Sequence, residues 1–166
     1  ASSRNLSLLL AGSAALAGKL PLVGSGADGR TTSGESTDSV RVPTAVDIDA
    51  DGIEDRVVVY ADGRLGLASK RGKQVELVLP GMADLRASTV ADFNRDGRAD
   101  IAVVGNRSEG GAVLNILTNS TASGDEQPSF EVKVQAYQDL NLPIGLAAAD
   151  LERDGICELA ILTLSG

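Results

Sequence analysis

The sequence predicts an all-β protein assembled from repeated units of short antiparallel strands, and three observations predict it. An aspartate-rich loop of one design occurs three times, each time followed at once by a short apolar run. The loops begin at Asp47, Asp92 and Asp150, spacings of 45 and 58 residues, which match the periods of propeller blades. Nineteen glycines punctuate the chain, and no segment of length carries a helical apolar period.

Short apolar runs bounded by Gly, Asp, Asn and Ser place strands at about 6–10, 19–23, 41–46, 56–60, 64–69, 73–79, 86–91, 100–104, 112–118, 130–136, 144–149 and 158–164. Ala61-Asp62-Gly63 is a hairpin turn between two of them. Gly24 to Ser39 is rich in Gly, Ser and Thr without an apolar pattern and reads as a surface loop, as does Asn119 to Ser129. The segment from Leu6 to Ala17 has two readings. Arg4 before it and Ala15-Leu16-Ala17 at its end resemble a secretory signal peptide; a β-hairpin is the preferred reading. It is too short and too interrupted for a membrane-spanning helix. Gly12 to Leu20 is no phosphate loop, because Gly18-Lys19 is followed by Leu instead of Ser or Thr.

Each loop carries oxygen side chains at positions 1, 3, 5 and 9 and Gly at 6. The odd positions converge on one point, the glycine permits the sharp turn, and position 7 can offer its carbonyl, so the loop is a cradle for a hard cation. The first is Asp47, Asp49, Asp51, Ile53 and Asp55; the second is Asp92, Asn94, Asp96, Arg98 and Asp100; the third is Asp150, Glu152, Asp154, Ile156 and Glu158. An EF-hand would need a bidentate Glu at position 12 and flanking helices. Position 12 is Val58, Val103 or Ile161, inside aliphatic runs, which removes that reading. Asp-Gly pairs also mark ordinary turns, but three loops of matching design in register argue for metal.

Ala91-Asp92-Phe93-Asn94-Arg95-Asp96-Gly97-Arg98-Ala99-Asp100-Ile101-Ala102-Val103-Val104 resembles the FG-GAP/VCBS repeat of integrin alpha-chain propellers and many secreted bacterial proteins. The resemblance spans roughly 41–166 and fades toward the N-terminus. It implies four-stranded propeller blades whose first two strands are joined by a loop holding structural Ca²⁺, up to three ions here. The third loop departs from the pattern with Glu at positions 3 and 9, and the longer arm is expected to loosen that site.

The chain has 166 residues, 43% hydrophobic and 2% aromatic, enough for a core of small aliphatic side chains in closely packed sheets. Of its 23 acidic residues, 11 lie at the odd loop positions, and three Ca²⁺ would take the net charge from −8 to −2. Scattered Arg residues without a basic stripe or aromatic stacking set argue against nucleic acid. With no His and one Cys, Ser-His-Asp and Cys-His catalysis, His-based zinc sites and an internal disulfide are excluded, so no enzymatic role is expected. Cys157, at position 8 of the third loop, reads as a small buried hydrophobe. Asn5, Asn106 and Asn119 each open an Asn-x-Ser/Thr triplet and are candidate N-glycan acceptors.

Grouped by loop, the chain divides into an N-terminal hairpin and polar loop (1–40), a blade with the first loop (41–84), a blade with the second (85–140) and a half-blade with the third (141–166). Three blades do not close a propeller. The chain is therefore expected to be circularly offset, its N-terminal hairpin completing the C-terminal half-blade, between subunits. The function this implies is a secreted, calcium-stabilised structural protein at the cell surface or outside the cell, assembling with its copies into a ring or fibre. An adhesion or ligand-binding propeller module, a fragment of a longer propeller, and an accessory domain of a secreted enzyme are the alternatives.

Overall fold

The structure, a computed structural model, describes residues 6–8, 16–19, 41–60, 63–68, 74–122, 128–140 and 142–164. Twelve strands and no helix are present among them: β1 (Leu6–Leu8), β2 (Leu16–Lys19), β3 (Arg41–Val46), β4 (Asp55–Val59), β5 (Arg64–Ala68), β6 (Gln74–Val78), β7 (Asp84–Ala91), β8 (Asp100–Asn106), β9 (Ala112–Asn119), β10 (Phe130–Tyr137), β11 (Pro143–Ala149) and β12 (Glu158–Thr163). All pairing is antiparallel, and it joins sequence neighbours except at the two N-terminal strands.

They form three sheets, ordered β3-β4-β5-β6, β2-β10-β9-β8-β7 and β1-β12-β11. Each of the last two sheets takes one N-terminal strand as an edge. This corrects the expected N-terminal hairpin: β1 and β2 do not pair with each other. Leu6 lies opposite Leu162 and Leu8 opposite Ala160, so β1 extends the C-terminal half-blade within one chain. Lys19 lies opposite Glu131 and Leu16 opposite Val134, which makes the middle sheet five-stranded instead of four-stranded. No closed propeller is formed among the described residues.

The sheets stack face to face. Val57, Leu65, Leu67, Val75 and Leu77 of the first pack against Leu85, Ile101, Val103, Leu117 and Val132 of the second. Ala102, Val104 and Leu114 on the opposite face of the second pack against Leu159 and Ile161 of the third. β8 is buried on both faces, from Asp100 to Gly105. Its unbroken Ile-Ala-Val-Val run, which lacks the alternation of a half-exposed strand, follows from that double burial. The outer sheets alternate: Val75 and Leu77 are buried while Glu76 and Val78 face solvent.

Each strand that leads into a loop, β3, β7 and β11, carries a register irregularity, between Arg41 and Thr44, Leu85 and Ala87, and Pro143 and Gly145. A bulge bends and further twists the strand. It recurs at one place in each unit, near the start of the strand that leads into the loop.

The polar loop expected to open at Asn119 begins later. Asn119 is the last residue of β9 and 1% exposed, and Thr121 is 5% exposed. The loop expected at Gly24–Ser39 lies outside the described residues.

Candidate metal centre

The three loops join β3 to β4, β7 to β8 and β11 to β12, and they fold by one hydrogen-bond plan. The position-1 carboxylate accepts from the backbone N–H of positions 5 and 6: Asp47 from Asp51 (3.1 Å) and Gly52 (2.9 Å), Asp92 from Asp96 (3.2 Å) and Gly97 (2.8 Å), Asp150 from Asp154 (3.1 Å) and Gly155 (2.9 Å). The position-5 carboxylate accepts from position 7: Asp51 from Ile53, Asp96 from Arg98, Asp154 from Ile156. The position-9 carboxylate reaches back to the N–H of position 2: Asp55 to Ile48 (3.0 Å), Asp100 to Phe93 (2.9 Å), Glu158 to Leu151 (2.7 Å). Position 3 accepts from position 5 in the first two loops, through Asp49 (3.2 Å) and Asn94 (3.0 Å). Asn94 also donates to Asp96. Glu152 makes no corresponding bond among the described residues.

The backbone that allows this turns left-handed twice per loop. Position 6 has φ of +82° at Gly52 and Gly97 and +83° at Gly155. A Cβ at Gly52 or Gly97 would meet nothing within 4 Å, so glycine serves the dihedral and not the space. Position 4 is also left-handed, with φ of +56° at Ala50, +63° at Arg95 and +59° at Arg153. That second requirement is not visible in the residue types, since none of the three is Gly or Asn.

Asp47, Asp49 and Asp55 each place a carboxylate oxygen within 4.8 Å of the others, and among the described residues this is the group whose carboxylates converge. Oxygens bound to one Ca²⁺ at 2.3–2.6 Å lie at most about 5 Å apart. The donor set therefore fits a hard divalent cation, with the carbonyl of position 7 free to join. Ile53 and Ile156 are 36% and 40% exposed, as expected of positions kept for their backbone.

Burial, and then repulsion from Asp55 and Asp51, holds the Asp49 carboxyl above its ordinary range. Burial likewise raises Asp100, which is fully enclosed, against the lowering effect of the N–H bonds from Asn119 and Phe93. Asp96, in the open, is lowered by the Arg98 N–H and by Asn94. The first loop gathers negative charge that it stabilises poorly by itself, and a cation would relieve it.

Two residues outside the ligand positions tie the loops together. Asn119 donates from Nδ2 to the carbonyls of Ile48 (2.7 Å) and Ala99 (3.2 Å), and its backbone N–H donates to Asp100 Oδ1 (2.8 Å). Its Oδ1 accepts from the Thr121 N–H. Arg95 donates to the Asp154 carbonyl and packs on Gly155, linking the second loop to the third. Asn119, a candidate glycan acceptor in the sequence, is buried and its amide donates to these two carbonyls. Asn106 is partly exposed, and Asn5 lies outside the described residues. Cys157 is a free, partly buried thiol.

No curated protein and no solved structure matches the chain. No helix among the described residues is long and apolar enough to cross a membrane. Residues 47–103 match the family model of the FG-GAP-like repeat, from position 1 of the first loop to position 12 of the second. Over that stretch the resemblance read in the sequence holds, and the chain carries FG-GAP-like repeat sequence.

Proposed function

We propose that this chain is a non-enzymatic structural module whose blade loops bind calcium and whose fold that calcium stabilises. The convergence of the Asp47, Asp49 and Asp55 carboxylates within 4.8 Å carries the reading. The first loop, whose carboxylates converge, is the best-formed site; the second shares its hydrogen-bond plan, and the third, without a bond from Glu152 to set its geometry, is the weakest. The proposed setting is outside the cell or on its surface, where calcium is abundant enough to fill sites with affinities near 10⁻⁴–10⁻³ M. The test is thermal unfolding in calcium and in chelator. Saturation at a hundredfold the dissociation constant is worth about 2.7 kcal/mol for one site. An unchanged midpoint ends the reading.

A second element of the proposal is self-association. Leu142, Ile144, Leu162 and Leu164 are 37–50% exposed on the third sheet, and Leu162 lies on the face turned away from the second. A further sheet stacked there would continue the seams already present within the chain, and a copy of this protein is the proposed occupant. Because β1 and β2 pair within their own chain, exchange of those strands between copies would be a domain swap and is not required. Sedimentation with and without calcium tests the association.

A further inference from the structure

From the position of Asn119 we infer that it is a positioning residue that couples the first cation loop to the second, so that filling one favours filling the other. The inference rests on the calcium reading above.

One buried side chain stands between the two position-9 carboxylates. Asp55 is held by the Ile48 N–H, and the carbonyl of that same residue is held by Asn119 Nδ2 at 2.7 Å. Asp100 is held by the Asn119 backbone N–H at 2.8 Å, and the Ala99 carbonyl just before it by Nδ2 at 3.2 Å. Asp55, Asp100 and Asn119 are 5%, 0% and 1% exposed, so water does not compete along this path. The asparagine has little freedom of its own, since Oδ1 is fixed by the Thr121 N–H at 3.0 Å. A cation on Asp100 fixes the carboxylate that the Asn119 N–H addresses. This presets the amide that orients Ile48, and through Ile48 the carboxylate of Asp55. By linkage the effect runs equally in reverse. Among the described residues, the hydrogen bond between the second and third loops is that of Arg95, on the surface, where the same argument gives weaker coupling.

The experiment is a calcium titration of the ¹⁵N-labelled full chain, following the Gly52 and Gly97 amides separately. Both are position-6 N–H groups bonded to position-1 carboxylates, so each reports its own loop. Asp96→Ala disables the second loop at an exposed site. It should shift the Gly52 midpoint to about fivefold higher calcium, the lower end of ordinary coupling between sites. In an Asn119→Ala background the same substitution should leave the Gly52 midpoint unmoved. Asn119→Asp, which keeps the size but loses the Nδ2 donor, should behave as Asn119→Ala does. If the Asn119 variants do not fold, Asp96→Ala against the unchanged chain decides alone. A Gly52 midpoint within twofold in those two proteins overturns the coupling while leaving calcium binding in place, as does coupling that persists undiminished without Asn119. If neither amide responds to calcium, both the coupling and the reading it rests on fall.

Discussion

Glu158 accepts the Leu151 N–H at 2.7 Å, the same bond that Asp55 makes to Ile48 and Asp100 to Phe93 with a shorter arm. The last carboxylate of each loop therefore has a structural task, closing the loop on its second residue, before any cation is considered. The longer glutamate arm at position 9 does not prevent that closure.

Removing this closure should therefore cost stability even in chelator. Asp55→Ala leaves the buried Ile48 N–H without its acceptor, which is worth about 1–3 kcal/mol. Glu158→Ala should cost less, because its loop is exposed and water can replace the carboxylate. Urea unfolding of the two variants in chelator measures the difference, and equal losses would refute the distinction.

Acid should act in opposite senses on the metal-free and calcium-loaded chain. Asp49 and Asp100 have folded-state pKa values raised above the unfolded ones, chiefly by burial. The native state then binds their protons more tightly, so their contribution to stability falls as pH rises from about 4 through the raised values. Bound calcium favours the ionised form and reverses the slope. Melting between pH 4 and 6 in chelator, with Asp49→Asn and Asp100→Asn as references, should show a flatter profile in each variant than in the parent.

The two left-handed positions of the first loop should respond differently to substitution. Ala50→Gly relieves a strained dihedral at an exposed site and should stabilise by about 0.5–1 kcal/mol. Gly52→Ala should destabilise by about 1–2 kcal/mol although there is space for the methyl group, because the cost is in the backbone. Denaturant midpoints in chelator separate these effects from calcium binding.

Leu162→Lys should leave the fold within about 0.5 kcal/mol of its stability, the ordinary range for a surface change, while weakening self-association. Leu85→Ala, at a fully buried seam position, should cost about 2–5 kcal/mol. Unchanged sedimentation of Leu162→Lys would remove this face as the contact between copies.

Most of the architecture was legible because strand formation here follows local apolar runs. Eleven of the twelve strands lie within two or three residues of the expected places; β2, found at Leu16–Lys19, was expected at 19–23. Leu16-Ala17 and Leu20-Pro21-Leu22 are both apolar stretches, and the pairing with β10 chooses between them. The cradle was legible because side-chain oxygens at fixed intervals are a property of the sequence itself. The left-handed backbone at Ala50, Arg95 and Arg153 was not, since it is imposed by bonds on either side and uses no residue suited to it. The structural part played by Asn119 was not legible for a related reason: its acceptor Ile48 lies 71 positions away, and nothing nearby marks an amide that reaches another loop.

The double burial of β8 gives this molecule an order of assembly. Among the described residues, each outer sheet has its apolar partner in the middle one, so neither gains its seam until the segment from Asp84 to Tyr137 has paired. Folding should spread outward from that segment, as in other stacked repeats whose units touch only their neighbours. Amide hydrogens of β8 should then be the last to exchange with solvent, and those of the outermost strands the first.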